Sequence, residues 1–554
     1  MIEERVVVLH GNRTDKILKY EECFCNQNMC GWWYPGCEMN RAPKANWSEG
    51  FESMTSRLAP VFCCFNEKEE SFLMIACSEV REKVQIRCGI IEETGEIHVE
   101  IQIPLDFLEN TKEYETRLLI SERKERYEDA LGRAVLWWEN NGIAFPMQVP
   151  ESARLPMYST WYSFHQQMAS DALAYECKLA KSLGMDTVIV DDGWQTDDIS
   201  RGYAYCGDWK ICENKFPDFR EHVAYIHKLG MKYMLWLSVP FVGRNSEQWD
   251  IYKECLLRYE EPIKAGILDP RYPKVRRYIQ GTCRQLVEKY DLDGLKLDFV
   301  DQFYQNVESC PSLKSEMDYY SVQDAVDHMM REISEDLLRL KPDIMIEFRQ
   351  RYIGPSMRGY GNIFRVADCP GAWLYNRVGI IDLRLLGGSS AVHSDMIMWH
   401  PQATPQEIAV HLINSIWGTF QISVMLENLS SDKKAVLSFW LNFARNHVEL
   451  LQKGKLTAYN PLQLYPVVET RKGVTWAAAL YENQQVISVP DGIVEGWIMY
   501  AGSSGEMYVK TSCEFHIELF DCMGQKVKQM TINQGLHMVS ADMGMMMYLK
   551  AESV

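Results

Sequence analysis

Gly294-Leu295-Lys296-Leu297-Asp298-Phe299 is a short apolar run that ends in an aspartate beside a turn. Arg365-Val366-Ala367-Asp368-Cys369-Pro370 repeats this arrangement later in the chain, and Val188-Ile189-Val190-Asp191-Asp192-Gly193-Trp194 has it earlier. Short apolar runs bounded by turn residues are typical of buried β-strands. Carboxylates at the carboxyl ends of several strands indicate a (β/α)8 barrel, which builds its site at that end.

The rest of the central region supports this α/β fold class. From residue 155 onward, strand-like runs alternate with helical runs, which is typical of βαβ units. We predict strands at Met157–Phe164, Asp186–Asp191, Met231–Leu237, Gly294–Phe299, Ile344–Phe348, Ile363–Asp368, Ser389–His393 and Phe420–Leu426. We predict helices at Ala169–Leu183, Lys274–Tyr290, Val322–Leu340 and Gln406–Ser415. A doubly wound open sheet is the alternative, but no glycine-rich phosphate turn follows the first strand.

The regions on either side of the barrel have short alternating stretches and turn residues that predict β-structure. Residues 1–150 are predicted to form a β-sandwich-like domain that closes with a helix from Tyr127 to Trp138. The barrel is predicted to span residues 151–452, and a small β-sandwich residues 453–554. We therefore expect three domains in this TIM-barrel protein.

Composition excludes several classes of partner. The chain has 554 residues and a formal net charge of −18, which argues against nucleic acid or an anionic membrane surface as a partner. No apolar run reaches the roughly eighteen residues that a membrane span needs. The charged start Met1–Val6 lacks the pattern of a secretory signal, so a cytoplasmic location is expected.

The 17 cysteines are scattered, and without an export signal they are expected to be reduced thiols. Cys23, Cys25, Cys30 and Cys37 cluster, so we considered a zinc knuckle. Their spacing lacks the usual C-x2-C element, and no paired histidine follows. Structural thiols are therefore the favoured interpretation, and no metal site is predicted.

Asp298 and Asp368 are the candidate catalytic residues. Lys296 lies two residues before Asp298, hence on the same face of a strand, where its charge would keep a nucleophilic carboxylate ionised. Arg365 lies three residues before Asp368. Apolar neighbours including Trp373 would raise the pKa of Asp368, as an acid catalyst requires. A strand-end salt bridge for Asp298 and a turn-forming role for Asp368 are the structural alternatives.

Five more residues are candidates for sugar binding. Asp191 and Asp192 could accept hydrogen bonds from vicinal hydroxyls, or hold a divalent metal, although no further ligand follows at suitable spacing. Because they are adjacent, only one of the two can point into the barrel from a regular strand. Trp194, Trp161 and Trp236 could wall the site or pack in the core.

Two basic positions and a histidine lie at other predicted strand ends. His393 could be a ligand, a base or a structural residue, and the structural role is the commonest. Arg349 and Arg351 flank the end of the fifth strand. They could reach substrate oxygens or neutralise the acidic mouth of the barrel.

Together these motifs resemble glycoside hydrolase family 36, the α-galactosidase-type enzymes of the clan that also includes family 27. The Asp-Asp-Gly-Trp turn of that family is similar to Asp191–Trp194, and its Lys-x-Asp motif to Lys296–Asp298. Its acid/base aspartate corresponds to Asp368. Ala391–Asp395 resembles its Gly-Ala-His-x-Ser segment, and Gly418–Ile422 its last barrel strand.

The resemblance implies a retaining exo-glycosidase without metal or organic cofactor. Asp298 would attack the anomeric carbon, and Asp368 would protonate the leaving oxygen and then activate water, with the carboxyl groups about 5–5.5 Å apart. Asp191, Asp192 and Lys296 would hold the hydroxyls of the sugar. A small α-glycoside or oligosaccharide is the implied substrate, and a homo-oligomer is implied by analogy.

Two segments depart from the family pattern. Trp236–Phe241 replaces its Trp-Phe-Glu-Pro-Glu-Met segment, and Glu347–Arg351 replaces a glycine-rich segment. Galactose, N-acetylgalactosamine and other sugars therefore stay open, as does transfer to a sugar acceptor instead of water. A non-catalytic sugar-binding protein is the alternative from another class, and a metal-dependent hydrolase using Asp191, Asp192 and Asp298 is the most distant one.

Overall fold

The fold centres on a closed barrel of eight parallel strands, which confirms the predicted fold class. The computed structural model describes residues 4–108, 113–305 and 314–551. In chain order the barrel strands are Met157–Ser159, Thr187–Val190, Lys232–Ser238, Gly294–Asp298, Met345–Arg349, Ile363–Arg365, Ala391–Ile397 and Thr419–Ile422. The eighth strand pairs with the first, so the sheet has no free edge.

Four strand ends differ from the sequence prediction by three residues or more, and one of them is the end of the eighth strand, at Ile422 instead of Leu426. The first strand ends at Ser159, because the helix Trp161–Phe164 follows, with the Tyr162 amide donating to Ser423 Oγ at 2.9 Å. The sixth strand ends at Arg365, so Asp368 lies on the loop beyond it. The seventh strand continues to Ile397, which places His393 in its middle instead of at its end. Pairing with neighbouring strands determines where a barrel strand ends. The periodicity of a single segment does not contain that information.

Helices surround the barrel. Predicted helices are found at Ser170–Leu183, Pro273–Tyr290, Val322–Leu340 and Pro405–Ser415. The other α-helices of the described chain are Tyr127–Asn140, Trp161–Phe164, Phe219–Lys228, Trp249–Tyr252, Trp373–Gly387, Ser431–Asn446 and Val448–Leu451. Trp373–Gly387 escaped prediction because most of it is buried, which removes the polar face that marks a helix in sequence.

The floor of the barrel is apolar. A buried cluster closes the amino-terminal end of the strands, and none of its members is more than marginally exposed. Its members are Ala153, Met157, Ile189, Met234, Met345, Ile363 and Ala391. Four of them, Met157, Met345, Ile363 and Ala391, are the first residues of their strands, and Ala153 precedes the first strand. The interior is thus a packed core below and a polar site above.

The amino-terminal region contains two antiparallel sheets over one apolar core. The first has, in spatial order, Glu4–Asn12, Glu113–Ser121, Glu70–Cys77, Val61–Phe65 and Gly31–Trp33, with Glu125–Arg126 also paired to Glu70–Cys77. The second has Ile17–Phe24, Ile97–Pro104, Val84–Ile90 and Phe51–Ser53. The predicted helix follows at Tyr127–Asn140.

The carboxyl-terminal region also contains two sheets. The larger has, in spatial order, Lys455–Tyr459, Val467–Lys472, Thr475–Leu480, Glu495–Tyr500, Met546–Ala551, Phe515–Phe520 and Lys526–Ile532. The smaller has Val486–Ser488, Glu506–Thr511 and Gly535–Ser540. A separate apolar cluster fills the space between them. Domain boundaries at 150 and 452 remain a proposal.

Between the third and fourth barrel strands, the chain forms a small antiparallel sheet that the sequence prediction missed. Its strands are Phe241–Gly243, Leu256–Glu260 and Ala265–Leu268. Within the described ranges no helix is both long and apolar enough to cross a membrane. The sixteen cysteines in those ranges are free thiols, and Cys310 lies outside them.

Candidate active site

Asp298 ends the fourth barrel strand and is held by four donors. Its Oδ1 accepts hydrogen bonds from Arg349 Nε at 2.7 Å, the Tyr352 hydroxyl at 2.7 Å and the Phe299 amide at 2.8 Å. Its Oδ2 accepts from Trp236 Nε1 at 3.0 Å. Phe299 adopts a left-handed conformation (φ 63°), which turns the chain sharply after the strand and aims its amide back at the carboxylate. Asp298 is therefore fixed in one orientation.

These neighbours keep Asp298 ionised. Burial of the carboxyl group opposes ionisation, but the charges of Arg349 and Lys296 and the hydrogen bonds from Tyr352 and Trp236 outweigh it, and the pKa falls well below the usual range of an aspartate. The prediction that Lys296 favours the anion is confirmed. Arg349 makes the larger contribution.

Arg349 contacts both candidate catalytic carboxylates. Its Nε lies 2.7 Å from Asp298 Oδ1, and its Nη1 lies 3.9 Å from Asp368 Oδ2. The guanidinium also lies 5.0 Å from the centre of the Phe299 ring, which supports it from the side. The structure thus brings together Asp298 and Asp368, which the sequence predicted, around one arginine.

Asp368 lies on the loop after the sixth strand, and 47% of its side chain is exposed, against 9% for Asp298. Arg365 Nη2 donates to its Oδ1 at 3.0 Å. Although burial raises the pKa of Asp368, the charges of Arg365, Arg349 and Lys296 lower it overall. The predicted rise from apolar neighbours is wrong for this structure, because two guanidinium groups face the carboxylate.

Asp191 and Asp192 diverge as expected for adjacent residues. Asp191 Oδ2 accepts from Lys296 Nζ at 2.5 Å inside the barrel. Asp192 lies on the turn and accepts from Gln166 at 2.6 Å and from Gln195 at 2.7 Å. Burial raises the pKa of Asp192 to about 6 despite these two bonds. Asp191 therefore anchors Lys296, whose charge in turn lowers the pKa of Asp298.

A buried charge network lies below these residues. Arg365 pairs with Asp395 and lies 3.6 Å from Glu347. Burial raises the pKa of both Glu347 and Asp395, and Arg365 partly offsets that effect. Gln421 completes the network by donating to Glu347 Oε2 at 2.5 Å. The network fixes Arg365, and through it one side of Asp368.

His393 is a structural residue in this arrangement. Its side chain is fully buried, with Nε2 at 2.6 Å from the Ala153 carbonyl and Nδ1 at 3.0 Å from Gln421 Nε2. Burial lowers its pKa to about 3, so the ring is neutral. The prediction that His393 binds substrate is therefore corrected, because both ring nitrogens already have hydrogen-bond partners inside the barrel.

The three tryptophans have different roles. Trp194 is fully buried, and its Nε1 donates to the Trp236 carbonyl at 2.9 Å, so it packs under the turn and does not wall the site. Trp236 reaches the site through its hydrogen bond to Asp298. Trp161 starts a short helix, is partly exposed, and carries Arg201 over its ring at 5.2 Å.

Sequence reasoning missed Tyr352 and Asp395. Tyr352 follows the fifth strand on an irregular loop, where no periodicity marks it. Asp395 lies two residues after His393 on the same strand, so its position on the same face was a usable signal. Arg351 points away from the catalytic pair and binds Glu38 of the amino-terminal region.

The carboxylates of the site already have cationic or amide partners, which neutralise or hydrogen-bond them. Asp191 faces Lys296, and Asp298 faces Arg349, so a divalent cation at either would be opposed by a positive side chain. Across the described ranges, no group of three or more His, Cys, Asp or Glu has the geometry of a metal site.

Comparisons with known proteins found relatives in sequence and in fold. The family model described as Melibiase matches residues 149–349, which include Asp298 but end before Asp368. Alpha-galactosidase Mel36A of Lactobacillus acidophilus is 32% identical over 272 residues, 46% of this chain and 35% of that protein. Alpha-galactosidase 1 of Pediococcus pentosaceus is 31% identical over 128 residues, 22% of this chain and 17% of that protein.

The chain resembles the α-galactosidases of glycoside hydrolase family 36. Two solved family 36 α-galactosidases from Geobacillus stearothermophilus share its fold. AgaB has a TM-score of 0.69 at 15% identity, covering 99% of this chain and 79% of its own. A variant of AgaA in complex with raffinose has a TM-score of 0.68 at 14% identity, covering 97% and 77%. The chain aligns with about a third or less of each of these curated relatives.

Proposed function

We propose that this protein is a retaining exo-α-glycosidase that acts as an α-galactosidase. The observation that carries the proposal is a pair of carboxylates, Asp298 at the end of the fourth strand and Asp368 on the loop after the sixth, which contact one guanidinium at 2.7 and 3.9 Å. Two carboxylates held close together are what double displacement requires. The resemblance to family 36 supplies the expected sugar.

In the first step, Asp298 is the nucleophile and forms a bond from a carboxylate oxygen to the anomeric carbon. Its low pKa supports this role, because the attacking group must be deprotonated. Asp368 gives its proton to the departing oxygen. Since Arg365 and Arg349 favour its anion, Asp368 must gain that proton with substrate present, when sugar screens it from the guanidinium groups.

In the second step, Asp368 takes a proton from water, which attacks the same carbon and releases Asp298. The negative charge of Asp298 raises the pKa of Asp368. Once Asp298 is esterified, that effect disappears and the pKa of Asp368 falls further. The change suits the switch from acid to base.

The sugar whose glycosidic bond is cut (the −1 sugar) is proposed to lie against Asp191, Asp192 and Lys296. The Asp191–Lys296 ion pair offers both an acceptor and a donor to neighbouring hydroxyls. Asp192 is held by two amide groups on the turn, which fixes its remaining acceptor positions. Trp161, which is partly exposed, is proposed to offer apolar surface to the sugar, whereas the buried Trp236 acts through its hydrogen bond to Asp298.

The test is a screen of aryl α-glycosides against the purified protein, using the galactoside, N-acetylgalactosaminide, glucoside and arabinoside. We expect hydrolysis of the galactoside, with the α-anomer of galactose appearing first in the proton NMR spectrum. First appearance of the β-anomer would refute retention. Preference for the N-acetylgalactosaminide would correct the sugar, and no hydrolysis of any of the four would favour a sugar-binding protein.

The same assay separates hydrolysis from transfer. With an added acceptor sugar, a hydrolase releases galactose at nearly the same rate, whereas a transglycosylase shifts product into a new glycoside. Asp250→Ala is the matched control variant, because Asp250 is an exposed aspartate paired with Lys253 on the surface. It should leave all four rates unchanged.

A further inference from the structure

A cleft lies at the end of the barrel opposite to the candidate active site. Its volume is about 790 Å³, within the usual range of about 300–1,000 Å³ for ligand pockets. Its lining includes Arg154, which precedes the first barrel strand, Ser390, which precedes the seventh, and Trp417, which precedes the eighth. Asp298 lies at the other end of the strands. A ligand in this cleft would therefore be separate from the catalytic pair.

Two arginines of the cleft, Arg154 and Arg384, have no carboxylate partner among the described residues. Arg154 Nη2 donates to the Ser389 carbonyl at 2.6 Å. Arg384 donates to three backbone carbonyl oxygens at 2.5–3.2 Å. Such bonds satisfy N–H groups, as at the end of a helix, but a carbonyl group carries no net charge. Two positive charges therefore lack a counter-charge.

The two guanidinium groups disfavour each other's charge. Burial and the charge of Arg154 lower the pKa of Arg384 to about 9, and no acidic group acts in the opposite direction. Burial also lowers the pKa of Arg154, which Glu449 partly offsets. This deficit stands out in a chain whose formal net charge is −18. An anion between the two arginines would favour the charged form of both.

The acidic residues of the lining do not supply that anion, because each already has a cation of its own. The pairs are Glu128 with Arg126 (2.7 Å), Asp129 with Lys455 (3.0 Å) and Glu139 with Arg358 (2.6 Å). The counter-charge of Arg154 and Arg384 is therefore left to a group from solution.

The loop between the helix Trp373–Gly387 and the seventh barrel strand adds hydroxyl groups to the same cleft. Ser389 and Ser390 both contribute to the lining. Ser390 is 5% exposed, and its Oγ has no hydrogen-bond partner within the described ranges. Leaving a buried hydroxyl unpaired costs free energy, which a ligand oxygen at this position would recover. This observation is independent of the two arginines and indicates the same kind of ligand.

A phosphate group fits these donors better than a single carboxylate does. It carries a charge of about −1.5 to −2 at pH 7 and has three acceptor oxygens, so it can meet two guanidinium groups and a hydroxyl together. A carboxylate would neutralise only one of the two arginines. The remaining lining is largely apolar and includes Val135, Leu136, Met147, Leu385 and Val392. These side chains leave room for the carbon skeleton of an organic phosphate.

We propose that this cleft binds a phosphate group, with Arg154 and Arg384 as its cationic contacts and Ser390 Oγ as a hydroxyl donor. The phosphate belongs either to a small organic phosphate or to the free ion. The inference does not depend on the reaction proposed at the other end of the barrel. It gives the protein a second ligand, which is anionic, besides any sugar.

The experiment is calorimetric titration of the full chain with glycerol 3-phosphate, inorganic phosphate and glycerol at constant ionic strength. We expect both phosphates to bind and glycerol not to bind. Tighter binding of glycerol 3-phosphate identifies an organic phosphate as the ligand, and equal affinity identifies the free ion. Absence of binding by both phosphates would overturn the proposal, as would equal affinity for glycerol.

Variants place the binding site. Arg154→Gln and Arg384→Gln should each weaken the affinity for the phosphate probes by about tenfold or more, because a charge-assisted hydrogen bond is lost. Arg277→Gln is the matched control, since Arg277 is an exposed arginine on the helix Pro273–Tyr290. It should leave the affinity unchanged. Arg349→Gln, in the active site, should also leave it unchanged.

Ser390→Ala keeps the test decisive if Arg384→Gln does not fold. The Ser390 hydroxyl bonds to no described group, so its removal should leave the thermal unfolding temperature unchanged. The affinity for the phosphate probes should fall by about threefold. Unchanged affinity in both Arg154→Gln and Ser390→Ala would overturn the proposal. A loss in Arg349→Gln alone would place the anion at the catalytic pair and overturn it as well.

Discussion

The two ends of the barrel interior are built from the same strands but have opposite chemistry. At the floor, Met157, Met345 and Ile363 are buried against other apolar side chains. Above them, Lys296, Glu347 and Arg365 are just as buried, yet each is charged and paired. Glu347 lies two positions after Met345 on one strand, and Arg365 lies two positions after Ile363 on the next.

This difference shows how one fold divides stability from function. Burial of the floor residues removes apolar surface from water and needs no partner. Burial of the upper residues is tolerated only because each charge meets another, and their net contribution to stability is small. Substitutions at the floor should therefore change the free energy of unfolding alone. Substitutions at the upper end should change the chemistry and, where a buried charge loses its partner, the free energy of unfolding and its dependence on pH as well.

The largest effect is expected for Asp298→Ala. Loss of the nucleophile should lower kcat by at least about ten-thousandfold, while the circular dichroism spectrum stays that of the wild type. Added azide should restore part of the turnover, because a small anion fits where the carboxylate was. The azide product should have inverted configuration, as seen by NMR. Full activity of the variant without azide would refute the nucleophile assignment.

Asp368→Ala should have a smaller effect that depends on the leaving group. Raffinose has a poor leaving group and needs the proton, so its rate of hydrolysis should fall by about a thousandfold. Aryl galactosides with acidic phenols should lose much less in the glycosylation step. A Brønsted plot of kcat/KM against phenol pKa measures this. Equal losses for all leaving groups would contradict the acid role.

Arg365→Leu should destabilise the upper layer by about 3–5 kcal/mol, because Glu347 and Asp395 lose their cation while remaining buried. Their pKa values are already raised, and the substitution raises them further. The folded state then binds more protons than the unfolded state, so stability falls as pH rises. Urea unfolding should show a smaller loss at pH 5 than at pH 8.

Met345→Ala should cost about 2–4 kcal/mol at the floor, from lost burial and the cavity that it leaves. Because no titratable group is involved, the loss should be equal at pH 5 and pH 8. kcat for the aryl galactoside should stay within about twofold of wild type. A loss that varies with pH as it does in Arg365→Leu would remove the contrast between the two layers.

The smallest effect is expected when the pH profile of kcat/KM is compared between Arg349→Gln, which removes the charge, and Arg349→Lys, which keeps it. The guanidinium lowers the pKa of both Asp298 and Asp368, so its removal should raise both values. Both limbs of the pH profile of kcat/KM should therefore move to higher pH. Arg349→Lys keeps the charge and should stay close to the wild-type profile. Unchanged limbs in Arg349→Gln would show that the arginine has no such role.

The sequence predicted the elements whose signals are local. Val322–Leu340 was predicted to the residue, because its 3.6-residue apolar period and serine cap are complete within the segment. The strand before Asp298 was equally clear. The helix Trp373–Gly387 was missed because burial on nearly all sides removes periodicity, and the sheet after Ser238 because its strands are short.

Within the candidate site, the sequence selected Asp298, Asp368, Asp191 and Lys296, since acidic residues after apolar runs stand out. It did not predict that Arg349 lies between the two aspartates, that His393 is buried with both nitrogens bonded, or that Trp194 lies under the turn. Each of these facts depends on which strands are neighbours.

The sequence by itself determined the alternation of strands and helices and the residue type at each strand end. These properties follow from side-chain periodicity and steric preference along a few consecutive residues. Only the tertiary structure decided which charges face each other, how far each is buried, and that a cleft opens beside Arg154 and Arg384. Those properties depend on barrel closure and on the register of strands far apart in the chain, which local sequence does not encode.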